Sequence, residues 1–150
     1  MVEEVIDYLI LDNNGRYVDC TFGMGGHTHE ILKNLSSKAS LFAIDRDPFS
    51  SDIAKSLSKK DSRVIAINDN FSELSRYIKS SSINGVLLDL GISSYQLDSE
   101  KRGFSFQNNG PLDMRMNQNQ GISASEWVNI ATQKEIDNIL WTLGEERFSR

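Results

Sequence analysis

The first residues able to do chemistry are a cluster of glycines and a spaced carboxylate. Asp19-Cys20-Thr21-Phe22-Gly23-Met24-Gly25-Gly26-His27 lies between a β-prone run and a helical one, so backbone there passes close to something a Cβ would displace. Asp45 stands twenty positions beyond Gly25, at the end of the next apolar run, where a carboxylate can accept both hydroxyl protons of a ribose. A ligand containing a nucleoside satisfies both features. A dinucleotide fingerprint opened by Gly23 would need glycine where Thr28 stands, and a phosphate-cradling loop would need lysine where His27 stands. A plain tight turn accounts for the glycines but not for the acid placed after them. His27 reads as a helix-start residue satisfying local backbone groups, and Cys20 as a small buried hydrophobe.

These residues need a frame. Apolar positions at 2, 5, 6, 9 and 10 predict a helix over residues 2–11, closed by Asn13-Asn14-Gly15. Residues 17–20, 41–44, 64–67 and 86–88 read as strands, with helices over 27–35, around Ile53-Ala54-Leu57, and over 71–78. Four short apolar strands without strict alternation, separated by helices, predict an α/β fold with a parallel sheet covered on both faces. Residues 91–121 are rich in Gly, Ser, Asn and Gln, and two helices follow. Ser123 precedes Glu126 by three and Thr132 precedes Glu135 by three, the spacing of capping boxes. Ile136, Ile139, Leu140 and Leu143 share a face of the last helix, Gly144 stops it, and Trp127 and Trp141 read as packing anchors.

Composition narrows the classes. With 150 residues and 39% hydrophobic side chains, the chain can bury one ordinary core. No run approaches the about eighteen apolar residues of a membrane span, and Met1-Val2-Glu3-Glu4 has neither the basic start nor the apolar stretch of a signal peptide, so a cytoplasmic protein is expected. A single cysteine excludes an internal disulfide and leaves too few soft ligands for structural zinc. A net charge of -5 argues against general nucleic-acid binding, DNA included, so any RNA contact must rest on local charge.

The G-x-G loop followed by Asp45 resembles the way methyltransferases hold S-adenosylmethionine. Several blocks sharpen the likeness: Thr21 to His27, Ala43-Ile44-Asp45-Arg46-Asp47-Pro48, Leu87-Leu88-Asp89-Leu90-Gly91-Ile92-Ser93-Ser94, Gln96-Leu97-Asp98, Arg102-Gly103-Phe104-Ser105-Phe106, Gly110-Pro111-Leu112-Asp113-Met114-Arg115-Met116 and Gly144-Glu145-Glu146-Arg147-Phe148. In that order they resemble the bacterial 16S ribosomal RNA cytosine-N4 methyltransferase family, whose fold is the class I, Rossmann-like one. The resemblance implies S-adenosylmethionine as cofactor, held by Gly25, Gly26, His27, Asp45, Phe71, Asp89 and Gln96. Phe71 fits a ring packed against adenine, and equally a core phenylalanine opening a helix. It further implies methyl transfer to the exocyclic amine of one decoding-centre cytosine, with 16S ribosomal RNA or the small subunit as partner and a dimer among the possible states. Tyr95 stands where that family usually has proline, and Asn109 where it usually has aspartate.

On this reading residues 1–95 are the first half of the cofactor-binding domain, 96–121 a pocket wall or lid, and 122–150 the start of a helical insertion that recognises RNA. Asp89, Ser93 and Ser94 are expected to orient the amine, with Arg102 and Arg115 available to phosphate. A C5 transfer would need a cysteine beside the base, whereas Cys20 adjoins the cofactor loop. The alternatives are an inactive fragment or nucleoside-binding module without chemistry, and a dinucleotide-dependent oxidoreductase.

Overall fold

The computed structural model describes residues 2–149, which form two compact units, Met1–Tyr95 and Gln96–Arg150. In the first, Val2–Leu9 (α1) precedes Arg16–Asp19 (β1), Gly26–Asn34 (α2), Ser40–Ile44 (β2), Pro48–Ser58 (α3), Val64–Ile67 (β3), a 3₁₀ helix over Phe71–Arg76, and Gly85–Leu87 (β4). The strands pair in parallel in the order β3-β2-β1-β4. Two expected helices are shorter than their apolar spacing suggested. α1 stops at Leu9, and the segment opened by Phe71 tightens into a 3₁₀ turn capped by the Asn70 side chain on Ser72 N–H.

Successive strand residues point to opposite faces of a sheet, and the two faces here are covered unequally. Tyr17, Leu41, Ala43 and Val64 pack with Ile31, Leu32, Leu35 and Ala54 of α2 and α3, and Ile6 and Leu9 of α1 join them. On the other face Val18, Phe42, Ile44 and Ile67 meet the smaller set of Ile78, Leu74 and Ile83 beside Cys20, and Arg16 lies over the Phe42 ring. Ile65 and Val86, which share that second face, are accordingly left 42% and 44% exposed. The expected two-sided cover is therefore complete on the helical face alone.

Ser94–Asp98 (α4) carries the chain into the second unit, which continues with a 3₁₀ turn at Glu100–Arg102, then Ala124–Ile130 (α5) and Gln133–Thr142 (α6). Both expected capping boxes are present, at Ser123 with Glu126 and at Thr132 with Glu135. Two glycines meet crowded backbone: a Cβ on Gly110 would collide with the Glu100 carbonyl oxygen, and one on Gly103, at φ 73°, with that of Pro111. Trp141 is 43% exposed, so it does not anchor a buried core. Among the described residues no helix is long and apolar enough to cross a membrane.

Candidate functional site: the carboxyl ends of β1, β2 and β4

The strand order creates the site. From β1 the chain moves outward through β2 to β3, and β4 then returns to the opposite side of β1. At such a switch point the loops leaving neighbouring strands diverge and open a crevice at their carboxyl ends. The loop after β1 holds the glycines, and the loop after β4 holds Asp89.

Gly25 has φ 81°, in the left-handed region, and a Cβ there would press on the Phe22 ring at 2.8 Å, so both conformation and space demand glycine. It precedes α2 without any side-chain cap on that helix. The first N–H groups of a helix lack internal partners and carry its positive dipole end, so this start is suited to a ligand carboxylate. A Cβ on Gly26 would meet nothing within 4 Å; the space in front of the helix is open.

Asp45 immediately follows β2. Its Oδ2 accepts the Gly23 N–H at 2.8 Å and its Oδ1 the Asp47 N–H at 2.9 Å, and its carbonyl accepts the Asn68 amide at 2.9 Å. The carboxylate thus ties the glycine loop to the β2–α3 turn and, through Asn68, to the segment leading to Phe71. Burial raises its pKa, an effect that the amides of Asp47 and Gly23 oppose. A carboxylate offers about four lone-pair positions, so acceptor capacity remains. Phe71 is 41% exposed, which removes the reading of it as a core residue.

Across the switch point, the Asp89 N–H donates to Thr21 Oγ1 at 2.8 Å, and Asp89 Oδ2 lies 3.4 Å from His27 Nε2. His27 Nδ1 is buried without a hydrogen-bond partner, so the tautomer with its proton on Nε2, facing Asp89, is the better satisfied one. Ser93 is half-buried, its Cβ 3.7 Å from where a Cβ on Gly23 would be, and Ser94 is exposed at the start of α4.

Gln96 is buried in the second unit, where the two candidate arginines are also found. Arg102 is only 4% exposed and donates to the carbonyls of Arg115 and Met116 at 2.9 and 2.8 Å. Its guanidinium is thus turned onto backbone carbonyls rather than toward solvent. Arg115 is bidentate on Asp113, at 3.0 and 2.7 Å, and holds that carboxyl down at a pKa of about 2.

One central residue went unnoticed in the sequence. Asp19 ends β1 fully buried, accepts Thr28 Oγ1 at 2.7 Å and the Thr21 N–H at 3.1 Å, and so clamps the first turn of α2 to the strand. Burial raises its pKa, against the pull of Thr28. An acid closing an otherwise apolar strand just before a glycine loop was the available signal.

Comparison with known proteins follows the same line. The model of the MraW methylase family matches residues 1–150. A ribosomal RNA small subunit methyltransferase H from Buchnera aphidicola is 53% identical over all of this chain and 49% of its own length; the chain spans about half the length of the curated relatives it matches. Among solved structures, a putative rRNA-methylase from Clostridium thermocellum aligns at TM-score 0.52 and 20% identity, over 61% of this chain and 50% of that one. A SAM-dependent methyltransferase from Aquifex aeolicus aligns at TM-score 0.51 and 13% identity, over 93% of this chain and 77% of that one. At these identities the structural likeness concerns the fold alone, which is the class I, Rossmann-like methyltransferase fold.

Proposed function

The chain belongs to the MraW methylase family, and from that premise we propose that it forms the cofactor-binding part of a ribosomal RNA methyltransferase that uses S-adenosylmethionine. The methyl acceptor we assign is the exocyclic N4 amine of a cytosine in the decoding centre of 16S ribosomal RNA, which places the reaction in the cytoplasm. The observation that carries the reading is the Asp45 carboxylate gripping Gly23 beside the uncapped start of α2.

The residues fit the cofactor. The open N–H groups at the start of α2 suit its carboxylate, Asp45 retains acceptor capacity for ribose hydroxyls, and the exposed ring of Phe71 offers a face to adenine. Bound there, the cofactor supplies a sulfonium methyl electrophilic enough to need no further activation. What the chain must then do is align the amine, a poor nucleophile because its lone pair is delocalised into the ring. Asp89 and the hydroxyls of Ser93 and Ser94 accept the amine hydrogens, aim the lone pair at the methyl and relieve positive charge as it forms. The His27 ring, its Nε2 3.4 Å from Asp89 Oδ2, lies beside that carboxylate. The base reaches this crevice by leaving its stack. Recognition of the RNA we assign to residues 96–150, with Gln96 a further cofactor contact.

Cys20 is unsuited to serve a C5 transfer. A C5 transfer needs a thiolate nucleophile, and burial pushes the Cys20 thiol up to about 11 while leaving it 5% exposed. The test incubates the full-length protein with unmodified small subunits and methyl-labelled S-adenosylmethionine, then digests the RNA to nucleosides. Label in N4-methylcytidine is expected. Label in C5-methylcytidine would overturn the target atom, and S-adenosylhomocysteine binding without any transfer would make the protein a nucleoside-binding module.

A further inference from the structure

The loop that carries Asp89 and Ser93 gains little hold from apolar burial. Leu90 is 71% exposed and Ile92 46%, so no apolar side chain of the loop itself is driven into the core. A segment of that kind depends on its polar contacts and on tethers at its ends. At the near end the Asp89 N–H is bonded to Thr21 Oγ1. At the far end the ring of Tyr95 lies on that of Phe49, centroids 3.7 Å apart and planes 10° from parallel.

Phe49 is itself well placed to serve as an anchor. It is the second residue of α3, and its N–H donates at 3.0 Å to the Oδ1 of Asp47, the residue that caps the helix. Asp47 in turn donates its N–H to Asp45. The stack therefore fastens the far end of the 89–95 loop to the same turn that carries the ribose-binding candidate. Between the two tethers Ser93 passes against Gly23. Phe49 is still 40% exposed, so the stack adds little to the core, and placement of the loop is its main product.

We propose that Tyr95 is a positioning residue for methyl transfer: stacked on Phe49, it holds the 89–95 loop so that Asp89 stays at the mouth of the glycine loop. The proposal rests on the methyltransferase reading. A proline is tolerated in the first turn of a helix and stiffens the chain through its own fixed φ. Tyr95 achieves the same end through a partner, and this difference supplies a specific test.

In the full-length protein, Tyr95→Ala and Phe49→Ala should speed amide hydrogen exchange over residues 89–94 and lower kcat on the order of tenfold, the scale of a lost aromatic pair. S-adenosylhomocysteine affinity, read by calorimetry, should fall by less than kcat, because Gly25, Gly26, His27 and Asp45 lie outside this loop. Tyr95→Phe should keep both exchange and kcat, and Tyr95→Pro should do so without the stack. Phe49→Ala should then have no effect in the Tyr95→Pro background. Unchanged exchange and kcat in Tyr95→Ala, or equal damage by Phe49→Ala in both backgrounds, would overturn the proposal. If the wild-type protein binds no S-adenosylhomocysteine, the cofactor reading fails on its own, while the exchange data still decide whether the stack orders the loop.

Discussion

The two compact units are ordered by opposite means. Among the described residues, every buried apolar side chain lies between Tyr17 and Ile78 in the first unit, whereas the buried residues of the second are Gln96, Arg102 and Asp113, all polar. Many large apolar side chains of the second unit face water instead: Ile130 is 71% exposed and Leu143 76%. One unit is held by apolar area removed from water, and the other by capped helix ends and an arginine closing two carbonyls. Burial of a whole side chain contributes about 1.5–3 kcal/mol, a net hydrogen bond about 1. The lesson is that the glycine loop and Asp45 stand on the stiffer support. The sharpest way to break this contrast is a pair of truncations. Ile31→Ala, at a fully buried site between α2 and the sheet, should cost about 2–5 kcal/mol of unfolding free energy, and Leu143→Ala no more than about 0.5. Denaturant unfolding of the chain measures both, and a reversed ranking would dissolve the distinction.

Within the stiffer unit the next effect concerns Asp45. Replacing it by Ala removes a charged acceptor and frees the Gly23 amide, so affinity for S-adenosylhomocysteine should fall about thirtyfold, near 2 kcal/mol. The sign of its pH dependence follows from the raised pKa. As an acceptor of hydroxyl protons the group must be ionised, so binding should weaken as pH falls through a value above the ordinary 3.8, and earlier than an unperturbed carboxylate would allow. Calorimetric titrations across that range, with Asp45→Asn lacking the inflection, check the assignment.

Much of the first unit was legible because its determinants are local in the chain. The strands around Val18, Phe42 and Ile67, the glycine turn, and the acid after β2 all follow from apolar runs that end at residues with special backbone or charge. The capping boxes were legible for the same reason, since a three-residue spacing contains the whole interaction. What escaped was long-range or geometric. Nothing in the order of residues says that Thr28 will meet Asp19, that Tyr95 will lie on Phe49, or that Arg102 will turn inward. The 3₁₀ turn at Phe71 has the apolar spacing of a helix, yet only Leu74 and Ile78 of that stretch find cover, so its length followed from packing rather than propensity.

The smallest effect expected tests the polar half of the contrast. Asp113 is held at about 2, below its ordinary 3.8, chiefly by its hydrogen bonds with Arg115. Between those two values the unfolded chain binds more protons than the folded one, so stability should rise with pH there. The contribution is fully present above the ordinary carboxylate value and is lost as pH falls toward 2. Because Arg115, the outer partner of the pair, is 27% exposed and reachable by solvent, the pair should be worth no more than about 1 kcal/mol. Asp113→Asn should flatten that part of the pH profile in thermal melts and leave neutral-pH unfolding of the first unit untouched. A slope that survives the substitution would mean that other carboxylates govern the acid response, and that the second unit does not depend on this ion pair.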